Sequence, residues 1–427
     1  MKNPLAIAAA CGVIAIGAAG QATAAPINPV ISPVTITVSS SALTTTTVRV
    51  TRASDGVVVA TLAPIPVATA PTTTTLTWAG GRGTGGTGQL LPDGEYRLDA
   101  TLADGTVVPV TPAQVTFDGT NPNVTLSPAR PVVPVRTAKG IPLKTDPSAQ
   151  VRAIVRRPGP DGEVLASGGW KPAGDTLVLP LALRRKHIVG LVSVTAEARD
   201  EAGNIGTSDP VLWSVQPPGT GTTVVTRIKT NRPLVALTID DGYGPSEAMR
   251  MISAARAANA TITFCFNAIN QGGWGQDFRD AIKSAVEDGV LEVCSHGYAH
   301  NTGKGTSQSA GMTDLARNAP WDQLAGYSTA PFYRPPYGAY GSGLRAAAAA
   351  EGYRYILLWD VDTNDWKGPS ASTIVQRAVG PARKGSIILM HTKPNSAAAF
   401  PDILRGLKAK GLRAVGLSEL FAAGRPG

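Results

Sequence analysis

The sequence predicts two all-β sandwiches followed by a distorted parallel (β/α) barrel of about seven strands. Residues 26–216 are rich in Thr, Val and Pro and alternate apolar with polar side chains, which is typical of antiparallel strands. From Pro233 onward, short apolar runs alternate with helical patterns, which is typical of a parallel sheet. A segment rich in Pro and Gly, residues 217–230, separates the two regions and predicts a linker.

Composition supports a globular, multidomain chain. Of 427 residues, 43% are hydrophobic and 16% are charged, which suits two to four domains with buried cores. The net charge of +9 comes from 39 basic and 30 acidic residues, and they are spread along the chain without a basic tail. This pattern disfavours nucleic-acid binding, while contact with an anionic cell-wall surface stays open.

The first 25 residues have the pattern of a secretory signal peptide. Lys2 precedes an apolar stretch from Pro4 to Gly20, and small residues then lead to Ala24 and Ala25, where we expect cleavage. The apolar run is shorter than the roughly 20 residues of a membrane span, so no stable transmembrane anchor is predicted. The expected location is secreted or cell-envelope. Export leaves two alternatives open for Cys265 and Cys294, a disulfide or two buried thiols.

Two turn segments refine the prediction for the β region. Leu91–Leu98 enters a strand after the glycine-rich loop Gly80–Gly88, and resembles the end of immunoglobulin-like (Ig-like) modules in flagellar hook-capping proteins. Arg199–Asn204 resembles a common bacterial Ig-like turn. We therefore predict Ig-like sandwiches at residues 26–126 and 127–216, acting as spacers or as arms that bind the cell wall.

The predicted barrel occupies residues 231–427. Seven apolar runs have the length of buried strands. They are Val235–Ile239, Thr261–Phe266, Leu291–Cys294, Phe332–Arg334, Tyr355–Trp359, Ser386–Met390 and Ala414–Leu417. Six helical patterns alternate with them: Ser246–Asn259, Gln276–Glu287, Met312–Ala325, Gly343–Glu351, Ser372–Val379 and Pro401–Lys410. This regular alternation favours a small or incomplete barrel over an open doubly wound sheet.

Polar residues recur where these strands end. They are Asp240 and Asp241 after the first strand, His296 after the third, Arg334 at the fourth, Asp362 and Asp365 after the fifth, and His391 after the sixth. In a parallel α/β barrel the carboxyl ends of all strands open on one face, where catalytic groups gather. We therefore expect these residues to converge on one cleft.

Each of these groups has a chemical use. His296 and His300, four residues apart, share one face if their segment is helical, and with a carboxylate they supply three metal ligands while leaving coordination positions open. By ligand type alone this set suits zinc or ferrous iron. The unperturbed pKa of a histidine, near 6.5, suits a general acid, so His391 is the candidate for this role and Asp365 is the candidate carboxylate to hold its imidazolium. Arg334 would keep Asp240 ionised.

Five segments carry a family resemblance. They are Leu237–Gly242, His296–His300, Arg334–Gly338, Asp362–Trp366 and Leu389–His391. In this order they resemble the five motifs of the polysaccharide deacetylases, carbohydrate esterase family 4, over about Pro233 to Leu420. Ile239 stands where the family commonly has Phe, and Gly297 stands where it usually has Ser or Thr. The second departure removes a hydroxyl that normally steadies the loop.

The resemblance implies a role for each matched position. The implied metal ligands, usually for zinc, are Asp241, His296 and His300. The implied proton-transfer groups and their partners are Asp240 as general base with Arg334, and His391 as general acid with Asp365. The implied substrate-binding residues are Tyr337 with its backbone amide, Pro336, Trp366 and Leu389.

The leading functional hypothesis is a secreted, metal-dependent deacetylase. It would hydrolyse N-acetyl groups of a polysaccharide containing N-acetylglucosamine, such as peptidoglycan or a chitin-like chain, and release acetate. Two alternatives stay open: an esterase of the same fold that removes O-acetyl groups from xylan or another glycan, and a noncatalytic cell-wall-binding protein. His187, the fourth histidine, lies in the sandwich region and is predicted to be dispensable.

Overall fold

The computed structural model describes most of the chain. The described ranges are residues 25–28, 31–40, 45–66, 72–78, 91–127, 132–134, 141–179, 188–217 and 219–427. The predicted signal peptide up to residue 24, the loop Gly80–Gly88 and His187 lie outside them. Every helix within the described ranges is too short or too polar to cross a bilayer. The chain divides into two compact units.

The first unit comprises residues up to Thr120 together with Glu201–Asn204. Its strands are β1 (Val34–Ser40), β2 (Thr45–Arg52), β3 (Val58–Pro66), β4 (Thr72–Trp78), β5 (Gly94–Leu102), β6 (Val107–Val108), β7 (Val110–Thr111) and β8 (Gln114–Phe117). They form two antiparallel sheets, β4-β1-β7 and β3-β2-β5-β6, and β8 pairs with β5. This confirms the predicted all-β character, and the Ig-like assignment stays a prediction.

Aromatic packing fills the core of this first unit. The Phe117 ring lies 5.2 Å from that of Trp78 and 5.1 Å from that of Tyr96. The Tyr96 hydroxyl donates a hydrogen bond of 2.7 Å to the carbonyl oxygen of Pro92, so the buried ring keeps its polar end satisfied. The same bond ties the turn before β5 to the strand.

The second unit comprises Asn121–Asp200 and Ile205–Gly427. Its β part contains β9 (Val124–Leu126), β10 (Val132–Pro134), β11 (Ile141–Thr145), β12 (Gln150–Arg156), β13 (Val164–Ser167), β14 (Lys171–Pro172), β15 (Thr176–Leu177), β16 (Gly190–Arg199), β17 (Ile205–Thr207) and β18 (Val211–Gln216). One sheet has the order β15-β11-β9, and the other has the order β10-β18-β16-β12-β13 with β14 beside β12 and β17 beside β16. Both sheets contribute to one apolar core.

The barrel part of the second unit is built on a parallel sheet. Its strands are β19 (Thr223–Val225), β21 (Leu234–Asp241), β22 (Ile262–Phe266), β23 (Leu291–Ser295), β24 (Phe332–Tyr333), β25 (Tyr355–Leu357), β26 (Val361–Asp362), β27 (Ile387–His391) and β28 (Arg413–Ala414). β20 (Ile228–Lys229) and β29 (Arg425–Pro426) form a separate antiparallel pair. The sheet order is β19-β25-β24-β23-β22-β21-β27-β26, and β28 pairs with β21. Within the described residues β19 and β26 do not pair, so the barrel is incomplete.

The strand count differs from the prediction of about seven. Eight strands follow one another along the sheet order and β28 is a branch. The additional strands, β19 and β26, have only three and two residues. β19 lies inside the segment predicted as linker and pairs in parallel with β25.

Eight α-helices alternate with the strands of residues 219–427. They are α1 (Pro245–Ala257), α2 (Gln276–Glu287), α3 (Gln308–Ala316), α4 (Ala319–Ala325), α5 (Ser342–Ala350), α6 (Ala371–Val379), α7 (Pro394–Ala409) and α8 (Leu417–Ala422). The central strand β21 lies between β22 and β27, and all eight of its residues are buried. Cys265 and Cys294, opposite each other on β22 and β23, form a disulfide, which decides between the two alternatives left open by the sequence.

The second sandwich contacts the barrel directly. The backbone amide of Leu191 donates a buried hydrogen bond of 2.7 Å to Ser418 Oγ at the start of α8. Gly190, with φ of +76°, allows this approach, because a Cβ there would lie 2.7 Å from the ring of Phe332. The strand β16 therefore packs closely on the barrel.

Glu292, in β23, makes the stability of this unit depend on pH. Its buried carboxylate accepts a hydrogen bond of 2.9 Å from the amide of Ser418, and burial raises its pKa from 4.5 to about 7. The folded chain thus holds this proton more tightly than the unfolded chain, and stability falls by roughly 3 kcal/mol as pH rises from about 4.5 to 7. Glu292→Gln should remove this part of the pH dependence. Urea unfolding of both proteins at pH 5 and pH 8 measures it, and identical pH dependences would contradict the prediction.

Candidate active site

The predicted acid pair lies at the carboxyl end of the central strand. Asp240 and Asp241 are the last two residues of β21, and both are buried. Asp241 and Gly242 have φ of +75° and +82°, so the backbone turns sharply where the strand ends. Asn270 Nδ2 fixes the turn by donating a hydrogen bond of 2.8 Å to the carbonyl oxygen of Asp241.

His296 and His300 come together through a backbone turn and not through the helix considered in the sequence analysis. His296 directly follows β23, and the segment to His300 is a turn rather than a helix. Gly297 and His300 have φ of +74° and +56°, and this reversal places the two imidazole rings 4.9 Å apart. The helical interpretation of the pair is therefore wrong, while the prediction that the two side chains meet is confirmed.

Asp241, His296 and His300 fit a divalent metal ion. One ligand atom from each residue lies within 4.8 Å of the others. Asp241 Oδ1 is buried, makes no hydrogen bond within the described residues, and lies 3.5 and 3.4 Å from Nε2 of His296 and of His300. A buried carboxylate oxygen without a partner is unfavourable unless a cation completes its environment. One carboxylate and two imidazoles are the ligands of open, catalytic metal sites.

The surrounding groups prepare these ligands. His296 Nδ1 lies 2.8 Å from the carbonyl oxygen of Arg334, which leaves Nε2 directed to the proposed ion. Burial opposes ionisation of Asp241, but the close approach of His296 and the charges of His296, His391 and His300 outweigh it and lower the pKa of Asp241. Burial and the neighbouring His296 lower the pKa of His300. The lowered pKa values favour the carboxylate form of Asp241 and the neutral imidazole form of His300, and these are the forms that bind a metal ion.

Asp240 forms a buried ion pair with Arg334. Arg334 follows β24, its side chain is fully buried, and its Nη1 lies 2.8 Å from Asp240 Oδ1. The second oxygen, Oδ2, lies 3.8 Å from His296 Nε2. Asp240 is therefore held beside the metal-binding set without belonging to it.

His391 and Asp365 form the second acid–base pair. His391 Nδ1 lies 2.7 Å from Asp365 Oδ1, and the amide of His391 donates a bond of 2.7 Å to Oδ2. Ser396 Oγ in α7 donates a further bond of 2.5 Å to Oδ2. Burial opposes ionisation of both side chains. The hydrogen bond with His391 and the charge of His391 nevertheless lower the pKa of Asp365. The hydrogen bond with Asp365 and the charge of Asp240 raise the pKa of His391.

Asp362 lies outside this pair. It accepts hydrogen bonds from the amide of Asn364 and from Trp359 Nε1.

Of the four predicted substrate-binding residues, two are exposed to solvent and two are buried. Tyr337 and Trp366 are exposed, at 76% and 56%, and the Tyr337 ring lies 4.5 Å from that of His300. Pro336 and Leu389 are buried. Two residues that were not predicted, Ser396 and Asn270, support Asp365 and Asp241 through hydrogen bonds between segments 29 to 31 residues apart. No motif spacing signals such bonds.

These features define a class of enzyme. A parallel barrel with three residues placed so that they could hold a metal ion, and with a buried carboxylate and a carboxylate–imidazole pair at the carboxyl ends of its strands, is typical of hydrolases. A family profile described as "Polysaccharide deacetylase" matches residues 227–356.

Known proteins resemble part of the chain. A peptidoglycan-N-acetylglucosamine deacetylase from Bacillus cereus is 32% identical over 197 residues, which are 45% of this chain and 69% of that protein. A bifunctional xylanase/xylan deacetylase from Cellvibrio japonicus is 33% identical over 180 residues, 42% of this chain and 26% of that protein. A carbohydrate esterase family 4 pseudoenzyme from Bacillus anthracis has 22% identity and a TM-score of 0.43 over 50% of this chain and 75% of that chain. The chain belongs to the polysaccharide deacetylase family, which confirms the predicted enzyme class.

Proposed function

We propose that the chain is a secreted, metal-dependent deacetylase that hydrolyses N-acetyl groups of a polysaccharide containing N-acetylglucosamine. The observation that carries this proposal is the convergence of Asp241, His296 and His300 beside two separate acid–base groups, Asp240 and His391. Peptidoglycan is the favoured substrate, because the relative of which this chain covers 69% is named for that polymer. A chitin-like chain has the same acetamido group.

The metal ligands are proposed to be Asp241, His296 and His300. Zinc suits this ligand set, with two imidazoles and one carboxylate leaving coordination positions open. When bound, the metal supplies Lewis-acid polarisation of the acetyl carbonyl and activation of water.

The other residues transfer protons and hold the substrate. Asp240, fixed by Arg334, takes a proton from the attacking water, and His391, fixed by Asp365, protonates the departing sugar amine. The backbone amide of Tyr337 donates to the oxygen on which negative charge develops. Trp366 and Leu389 are proposed to line the acetyl pocket, and Pro336 and Tyr337 to contribute to substrate binding. Acetate and a free amine are the products.

Removal of O-acetyl groups from a xylan-type glycan is the second candidate. The relative named as a xylanase/xylan deacetylase favours it. The same groups would serve, because an ester also passes through a tetrahedral oxyanion, and His391 would then protonate an alcohol.

The regions outside the barrel are proposed to deliver the enzyme to its substrate. We place a signal peptide at 1–25, Ig-like sandwiches at 26–126 and 127–216, a linker at 217–230 and the deacetylase domain at 231–427. The structure adjusts two of these boundaries, because β9 pairs with β11 of the second sandwich and β19 of the linker segment pairs with β25 of the barrel sheet. The sandwiches are proposed as spacers or as arms in contact with the cell wall.

Acetate release from a panel of polymers tests the proposed function. Purified peptidoglycan, chitin oligomers and acetylated xylan are incubated with the protein as purified, after complete chelation, and after zinc is restored. We expect release from a polymer with N-acetyl groups, loss on chelation and recovery with zinc. Acetate release from xylan alone would establish the second candidate function. Activity after complete metal removal would exclude metal dependence. If no acetate is released while zinc is bound, the chain is a binding protein.

The proposed role of His391 as general acid predicts how the deacetylation rate falls at alkaline pH, the alkaline limb of the pH–rate profile. The general acid must be protonated, and the hydrogen bond to Asp365 with the charge of Asp240 raises the pKa of His391, so activity should persist to higher pH than a free imidazole allows. Asp365→Asn lowers that pKa, shifts the alkaline limb to lower pH and reduces the rate at pH 8 by about tenfold. Ser396→Ala, which keeps both charges, is the matched control and should shift the limb less. An unchanged limb in Asp365→Asn would exclude His391 as the titrating acid.

A further inference from the structure

The turn that carries His296 and His300 is held by a carboxylate from outside the site. Asp314 lies in α3, and its Oδ2 accepts a hydrogen bond of 2.9 Å from the amide of Tyr298, while Oδ1 accepts one of 3.2 Å from the amide of Ala299. Both amides lie between the two histidines in sequence. Asp314 therefore binds the part of the backbone that sets the position of one imidazole relative to the other.

Other backbone groups of the turn also have partners. The amide of Gly297 donates to Ser295 Oγ at 3.2 Å. Asn267 Nδ2 donates to the carbonyl oxygens of His296 and Gly297 at 2.7 and 3.1 Å. The backbone donors of residues 297–299 thus all have protein partners, and two of the three depend on Asp314.

Gly297 is required for the approach of Asp314. Its φ is +74°, and a Cβ built at this position would overlap Asp314 Oδ2. A side chain at residue 297 and the Asp314 carboxylate therefore exclude each other. The hydroxyl that the sequence analysis found missing after His296 has no room, and the carboxylate fixes the turn instead.

We propose that Asp314 is a positioning residue for the metal-binding turn, and that Gly297 and Asp314 act as a coupled pair. Hydrogen bonds from backbone amides to a carboxylate are stronger than neutral ones, and two of them hold a turn that contains two residues with positive φ. Asp314 thereby orients His300 toward His296 before metal binds. This inference rests on the proposed metal-binding function and assigns its preorganisation to a residue of α3.

Zinc affinity and amide exchange test the proposal in the full chain. Asp314→Ala is compared with the natural protein by competition for zinc against a chromophoric chelator, and by hydrogen exchange of the metal-free protein. We expect zinc affinity about 10- to 100-fold lower, with faster exchange at Tyr298 and Ala299 and unchanged protection in β23. Thr313→Ala on the same helix, where the hydroxyl bonds only to the carbonyl of Ser309 in its own helix, is the control and should match the natural protein.

A double-mutant cycle tests the coupling. Gly297→Ala alone should weaken zinc binding, because the new methyl displaces Asp314, and its effect should be smaller in the Asp314→Ala background. Natural zinc affinity together with natural amide protection in Asp314→Ala would overturn the proposal, as would strictly additive effects. If the natural protein binds no zinc, the proposed function fails, and the exchange rates of Tyr298 and Ala299 still decide whether Asp314 fixes the turn.

Discussion

His296→Ala is expected to empty the metal site and to lower acetate release by roughly 10³-fold or more. His296 is buried, and its Nε2 lies 3.5 Å from the buried, unpartnered Asp241 Oδ1. Its loss leaves two ligands for an ion that takes three from a protein in catalytic sites. Metal content by elemental analysis and acetate release are measured on the same preparation.

His391→Ala is the contrasting variant. His391 is bonded to Asp365 and is not one of the three clustered ligands, so this variant should retain metal while acetate release falls by about 10²- to 10⁴-fold. His187→Ala is the control for loss of a histidine as such, and should retain both metal and activity. Metal retention in His296→Ala, or metal loss in His391→Ala, would contradict the assignment of ligand and proton donor.

The strands around the site could be predicted because they are buried on both faces. β21, β23 and β27 have five to eight residues and are mostly apolar before their carboxyl ends, with Thr238 and Glu292 as exceptions. The polar residues that follow these apolar runs therefore stand out. β19 and β26 were not predicted. β19 lies in a segment whose Pro and Gly content predicted a linker, and β26 consists of Val361 and Asp362 alone. The branch strand β28 was predicted as Ala414–Leu417, but Leu417 begins α8.

Proline placement explains two errors in the helices. The pattern beginning at Met312 was predicted as one helix to Ala325, but α3 ends at Ala316 and α4 starts at Ala319, with Pro320 in its first turn. Proline lacks an amide and suits a helix start. The last helix was predicted to begin at Pro401, whereas α7 begins at Pro394 and continues through Pro401. Sequence alone does not distinguish the two prolines.

Site residues at the ends of strands could be predicted from the sequence. Residues whose position depends on the backbone conformation of a turn could not. Asp240, Asp241 and His391 followed from their positions after apolar runs. The turn between the histidines did not, because positive φ at His300 depends on contacts from distant segments. Asp314 and Ser396 bind atoms that no local spacing encodes, and only the folded chain brings them to the site.

Asp240→Asn is expected to lower acetate release by about 10²- to 10⁴-fold while zinc stays bound. Asp240 Oδ2 lies 3.8 Å from His296 Nε2 but the residue is outside the clustered ligand set, so the variant removes the proposed base and leaves the ligands. Asp362→Asn is the matched control. That carboxylate lies on the same strand-end rim, accepts bonds from Asn364 and Trp359, and should be dispensable for turnover.

The same variant should also destabilise the barrel. Arg334 is fully buried and bonded to Asp240 at 2.8 Å, and breaking a buried ion pair by neutralising one partner costs about 3 to 5 kcal/mol. Asparagine keeps one acceptor oxygen for Arg334, which places the expected loss at the lower end of that range. Urea unfolding and acetate release measured on the same variant separate the two roles. Destabilisation with full activity would make the Asp240–Arg334 pair structural and require another base, whereas natural stability with lost activity would assign Asp240 to the chemistry alone.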